Sequence, residues 1–374
     1  MIEEKDLNFE LAAIVAVALF FDFTNGFHDS ANAIATTVST RALPPRIAVV
    51  FAGLLNFAGA FISLKVAATV AQGIITPTGI TLSVVLAGVI GATAWNLLTW
   101  LMGLPTSSSH ALIGGVIGAA ITSKGFGVLQ VGGFWSKVLL PSLLSPLFGL
   151  LLAALILFVL LWLLRRQMPA RMRTVFLRLQ VVSAGFVALT HGTNDAQKTM
   201  GVIALALIAG QPASKFHVPI WVIVSAATAM ALGTYTGGWR IIQTLGRRVT
   251  KLEPYEAFSA EASTATLLGI TGFLGFPVST THTITGSVLG AGAVRHFRAL
   301  RWGVARNILI AWAFTLPFAG IAGAAMELLT RVPFGTPLTF SVGISIAVAA
   351  FAYRNHMLNT AASPAGVGAR PRAA

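Results

Sequence analysis

The stretch GLPTSSSHALIGGVIGAA, residues 103–120, returns without a gap as GFPVSTTHTITGSVLGAG at residues 275–292. Pro105 matches Pro277, Ser107 matches Ser279, His110 matches His282 and Gly114 matches Gly286. Each copy sets a run of hydroxyl side chains into an apolar region: Thr106, Ser107, Ser108 and Ser109 in one, Ser279, Thr280 and Thr281 in the other. Proline fits the first turn of a helix, and Ser or Thr beside it caps free backbone N–H groups. Each copy is therefore predicted to start a helix after a break. The glycines that follow, Gly114, Gly115 and Gly118, echoed by Gly286 and Gly290, would allow close helix packing.

A second pair lies upstream of the first. NGFHDSANAIA begins at Asn25 and HGTNDAQKTMG at His191, sharing Gly26 with Gly192 and Asp29 with Asp195. Both motifs keep their order, and their spacing agrees to within six residues. A duplicated unit is the economical explanation, with halves 1–164 and 179–356, a basic cytoplasmic linker 165–178 and a flexible tail 357–374. Loop charge then gives the relative orientation. Arg240, Arg247, Arg248 and Lys251 face a first-half counterpart, TVAQGIITPTGI, that has no charge. Arg295, Arg298, Arg301 and Arg306 answer only Lys124 and Lys137, whereas Arg41 and Arg46 answer the nearly uncharged AGQPASKFHV. Positive loops lie inside, so matching loops lie on opposite sides and the halves are expected to be inverted.

Composition sets the medium. The 374 residues are 56% hydrophobic and 10% charged, with a mean hydropathy of +0.82, where a soluble domain carries roughly 25% charge. Runs such as LLPSLLSPLFGLLLAALILFVLLWLL, residues 139–164, exceed the roughly 20 apolar residues a spanning helix needs. The expected fold is an all-α integral membrane protein with about ten to twelve segments, including two broken or re-entrant helical hairpins. Counting crossings places the N-terminus outside and the C-terminus in the cytoplasm of an inner (plasma) membrane. The acidic start MIEEKDLNFE reads as no removable leader. The formal charge of +14 falls mainly in loops and tail, which reports orientation rather than nucleic acid. Cysteine is absent, which excludes disulfides and thiolate metal sites.

Inverted repeats with polar, Gly- or Pro-interrupted helices at matching places mark secondary transporters. A helix start offers N–H donors and partial positive charge, which suits an anion, and the hydroxyls add neutral donors. Two such starts would converge on one oxyanion. Asp29 and Asp195 lie where a charge costs at least about 2.5 to 3.5 kcal/mol, so each is expected to face a cavity, an ion or a partner. With Asn25, Asn32 and Asn194 they form oxygen-rich groups suited to a hard cation such as Na+. His28 and His191 suit proton coupling instead. A structural pairing of Asp195 with Lys198 is the competing reading. Asp22 is a candidate that would equally lie near a membrane surface, and Glu261 one that would equally lie at the interface. His110 and His282 are explained as well by core packing as by ligation, and Arg240 by anchoring a helix end.

The chain resembles the inorganic phosphate transporter family, the PiT or solute-carrier-20 type. The resemblance rests on FDFTNGFHDSANAIATTVSTRAL (residues 21–43), PTSSSHALIGG, HGTNDAQKTMGVIAL, ALGTYTGGWRIIQTLG and PVSTTHTITGSVLGAG. It implies symport of inorganic phosphate with Na+ or H+ by alternating access, in an inverted-repeat fold that assembles as a homo-oligomer, with no cofactor beyond the co-transported ion. It puts phosphate on Ser107, Ser108, Ser109, Ser279, Thr280 and Thr281 and the coupling ion on Asp29, Asn32 and Asp195. Asn25, His191 and Glu261 match further implicated positions. The short link between halves departs from eukaryotic members, as does Asn56, where those often carry an acidic residue.

Among function classes, a sulfate or other oxyanion symporter on the same scaffold is the nearest alternative. A channel gains nothing from buried Asp29 and Asp195. A hydrolase built on Ser109 and a histidine is weaker still, since His110 is its helical neighbour, helical neighbours do not face each other, and no other His is clearly placed to activate it.

Overall fold

The computed structural model describes residues 4–76, 80–210 and 216–362. The chain runs through α1 Glu4–Ser39, α2 Pro45–Gly59, α3 Lys65–Gln72, α4 Leu82–Met102, α5 Ser108–Lys124, α6 Val131–Phe134 and α7 Leu140–Leu163. It continues through α8 Pro169–Gly210, α9 Ile220–Thr236, α10 Trp239–Gln243, α11 Pro254–Leu274, α12 Thr280–His296, α13 Trp302–Thr330 and α14 Gly335–Ala362. Among the described residues the extended structure is one isolated bridge, Ile75 with Leu129. The basic stretch expected as a linker belongs largely to α8, which opens at Pro169, a residue suited to a helix start. Of the expected tail, residues 363–374 lie outside the described residues.

Six helices are long and apolar enough to cross a membrane, and up to seven if α9 and the segment Trp239–Arg248, bent by 61°, form one span. This is fewer than the ten to twelve segments expected. Among the rest, α2, α5 and α12 have only 15 or 17 residues, and α11 carries the buried acids Glu256 and Glu261. Of these, α5 and α12 are largely buried, and a helix wrapped by protein needs no continuous apolar surface. On α7, by contrast, Leu143, Leu147, Leu151, Leu155 and Trp162 form an exposed stripe that suits lipid.

The two hairpins close bond for bond. Helix α4 ends on Gly103 at φ +69° and α11 on Gly275 at φ +81°, a left-handed cap that glycine adopts without a Cβ penalty. Leu104 N–H then donates to Thr99 C=O at 3.0 Å, and Phe276 N–H to Thr271 C=O at 2.9 Å. Pro105 and Pro277 lie in the short connections rather than in the first helical turns. The helices start three residues later, because Ser107 and Ser279 act as caps. Their Oγ atoms accept from His110 N–H at 3.1 Å and His282 N–H at 3.2 Å.

Packing exchanges partners between the halves. Helix α5 lies on α4 and α13, while α12 lies on α11 and α7; α1 packs on α9, while α8 packs on α2. The glycines of the hairpins make this contact close. A Cβ on Gly118 would come within 2.0 Å of Gly320 O, and one on Gly290 within 2.1 Å of Leu150 O. Any larger side chain there separates the helices.

Candidate functional site

About two-thirds of the way along α1 and α8, the helix starts of α5 and α12 meet the two buried aspartates. Asp29, Asn32, Ser108, Ser109, Asp195, Lys198, Thr280 and Thr281 are each at most 2% exposed. Ser108 donates to Asp29 Oδ2 at 2.6 Å, and Thr280 donates to Asp195 Oδ2 at 3.2 Å. Thr281 reaches Asp29 Oδ1 at 3.4 Å, so Asp29 touches both helix starts. Asn32 donates to Thr280 at 3.1 Å and to Thr281 at 3.0 Å. One ligand atom each from Asp29, His191 and Asp195 lie within 4.8 Å of one another. The residues quoted from both motif pairs therefore share one enclosed centre.

Lys198 completes it. Its ammonium donates to Asp195 Oδ1 at 2.5 Å, to Ser109 Oγ, and to the carbonyl of Val278 at 3.0 Å. The pairing of Asp195 with Lys198, the competing reading from sequence, is present, but it sits inside the site and links both helix starts. Lys198 therefore adds a cation to the neutral hydroxyl donors expected from sequence. The sequence signal was Asp195-x-x-Lys198, which on a helix brings both side chains to one face.

The histidines lie on opposite sides of their aspartates. His28 Nδ1 is 2.7 Å from Asp29 Oδ1, and its Nε2 is 3.3 Å from the hydroxyls of both Thr99 and Thr106. Thr106 thus serves His28 rather than the helix starts. His191 Nε2 is 3.2 Å from Asp195 Oδ2, and its Nδ1 is 3.1 Å from Asn56 Oδ1. Asn56 in turn donates to Thr234 at 2.9 Å, so the position that departs from eukaryotic members braces His191.

Other candidates lie elsewhere. Asn194 donates to Thr190 C=O and Leu268 C=O, both at 2.9 Å, and fixes α11 to α8 instead of joining Asp195. Helical neighbours diverge by about 100°, which separates the two side chains. Asp22 is fully buried beside Asn25 and Thr199. Glu261 forms its own cluster, accepting from Thr36 at 2.6 Å, Thr37 at 3.1 Å, Gln180 at 3.0 Å and Ser183 at 2.5 Å. Sequence reading missed these four partners; Gln180 and Ser183, polar and one turn apart on α8, were the available signal. His110 and His282 meet edge to face at 4.8 Å behind the helix starts, with His282 stacked on Trp312 at 3.8 Å. That is the packing role. Arg240 donates to Leu101 C=O and ties the end of α4, as an anchor does.

A bundle of apolar helices folded around an enclosed polar centre, with broken helices presenting hydroxyls to carboxylates, defines a multi-pass membrane transport protein. The model of the phosphate transporter family matches residues 25–323, and the chain belongs to that family, whose members are transporters rather than enzymes. It is 48% identical over 319 residues to a Rhizobium meliloti protein named "Probable low-affinity inorganic phosphate transporter", covering 84% of this chain and 94% of that protein. A Bacillus subtilis protein of the same name is 43% identical over 324 residues, with coverage of 86% and 97%. Among solved structures, one called "The sodium-dependent phosphate transporter" superposes with a TM-score of 0.78 at 23% identity, over 86% of this chain and 99% of that one. That likeness establishes the fold.

Proposed function

We propose that the chain is a cation-coupled symporter of inorganic phosphate that works by alternating access between two inverted halves. The observation that carries this reading is the meeting of the α5 and α12 starts at Asp29 and Asp195. Free N–H groups of two first turns, with Ser108, Ser109, Thr280 and Thr281, supply donors to the anion from both sides. Phosphate keeps an acidic proton at neutral pH, so a carboxylate acceptor beside those donors favours it over an anion without one. Asp29 is the acceptor and coupling group least committed to a fixed positive charge. The ion, Na+ or H+, enters there with Asn32 and His28 at hand. Asn25, His191 and Asp22 lie around that path, and the halves are residues 1–164 and 179–356.

Exchanged packing supports inversion, since a twofold axis makes every contact reciprocal. A line of polar groups on α1, from Asp29 and Asn32 through Thr36 to Thr40, runs past Glu261. It ends at a cavity lined by Arg41, Arg173, Arg247, Lys251 and Arg301. Positive residues lie inside, which makes this the cytoplasmic mouth, with the N-terminus outside and the C-terminus inside. Homo-oligomers, as the resemblance implies, have the exposed faces of α7 and α14 available for contact. The test is uptake of labelled phosphate into proteoliposomes under an imposed Na+ or pH gradient. Accumulation driven by one gradient is expected. Absence of accumulation, or sulfate uptake with which excess phosphate does not compete, contradicts the reading.

A further inference from the structure

The two halves correspond at the site through two pairs of contacts. Asp29 receives Ser108 where Asp195 receives Thr280, residues at corresponding places in the two helix starts. Three residues beyond each aspartate, Asn32 reaches Thr281 and Lys198 reaches Ser109, again corresponding places. The difference is that the first half has a neutral amide where the second has an ammonium. Asp29 therefore has no fixed positive charge on its own half, only the neighbouring His28, while Asp195 carries a permanent partner.

The surroundings of the Lys198 nitrogen are those of a bound cation. A carboxylate, a hydroxyl and a backbone carbonyl surround it, contributed by α8, by the first turn of α5 and by the segment leading into α12. Such all-oxygen sets suit hard cations. An ammonium has three protons and no acceptor, and all three are engaged, so none is left for an anion. We propose that Lys198 is a tethered coupling cation: its ammonium fills in the second half the position that the exchangeable cation takes beside Asp29 and Asn32 in the first. The inference rests on reading the chain as two inverted halves of a cation-coupled symporter. Its consequence is a stoichiometry lower by one charge than a site with Asn at both places would have. A positive charge that never leaves neutralises Asp195 in every state of the cycle.

Lys198→Asn, which rebuilds the first-half arrangement, tests this. In proteoliposomes the membrane potential that just stops net phosphate uptake reads the charges moved per phosphate, whichever cation is used. Wild type gives one value, and K198N is expected to move one more positive charge, with the slope of log rate against log cation concentration rising by about one. Where K198N transports poorly, thermal unfolding in detergent gives a second reading. The double variant Asp29→Asn/Lys198→Asn is expected to gain stability with rising Na+, by mass action on the new position, while Asp29→Asn alone does not. Lys198→Gln serves the same purpose where the Asn variant does not assemble. Unchanged stoichiometry in transporting K198N, or identical Na+ response of the single and double variants, overturns the inference. If wild type itself accumulates no phosphate, it is the transport reading that falls.

Discussion

Asp29 and Asp195 occupy matching places, yet the protein treats them differently. Asp195 is held by Lys198 and by His191 and is complete as a structural ion pair. Asp29 is held by His28, Ser108 and Thr281, and among the described residues it pairs with no Lys or Arg. A buried carboxylate without a fixed counter-charge is costly to fold, and it persists where a mobile charge completes it. On the proposed symport reading, the movable charge belongs to the first half and the permanent one to the second.

Breaking the first half is expected to have the largest effect. Asp29→Asn abolishes gradient-driven phosphate uptake in proteoliposomes while purified protein elutes as folded as wild type. Full cation-dependent uptake in this variant would remove Asp29 from coupling. Asp195→Asn also abolishes uptake, but by a different route. It leaves the Lys198 charge buried without its partner, a loss of about 3 to 5 kcal/mol that thermal unfolding would register and Asp29→Asn would not. Equal stability of the two variants would erase the distinction between the halves.

The helix starts are predicted to act alike where the aspartates do not. Ser108→Ala and Thr280→Val each remove one donor to the anion, a loss of about 1.5 to 3 kcal/mol in phosphate affinity by calorimetry. A loss in only one of them would make the site one-sided. Smallest is the effect of the caps: Ser107→Ala and Ser279→Ala each cost about 1 kcal/mol of stability, equally in both halves. Denaturant titration checks this, and a large inequality would show that the two hairpins are not equivalent.

Much of this arrangement was legible in the sequence, for physical reasons. Hydroxyls beside proline and glycine within apolar runs leave few readings in a membrane, and their gap-free recurrence pairs Ser107 with Ser279 and His110 with His282. Asp29 and Asp195 stood out because carboxylates are expensive there. Other features were hidden by distance or direction. The partners of Glu261, from Thr36 to Ser183, come from remote parts of the chain. Asn194 adjoins Asp195 in sequence but points to α11. Lys198 read as a local ion pair, because spacing shows that it faces Asp195 and not that Ser109 and Val278 close around it. The number of segments was obscured because short helices such as α5 and α12 are shielded by neighbours and need no apolar surface of their own.

The central claim is that one phosphate binds between the two helix starts. A structure of the protein determined with saturating phosphate tests it most directly. Density for the anion is expected within hydrogen-bond reach of both Ser108–Ser109 and Thr280–Thr281, with Lys198 still on Asp195. Phosphate bound to a single helix start, or only in the cavity lined by Arg41, Arg173, Arg247 and Arg301, would contradict the account.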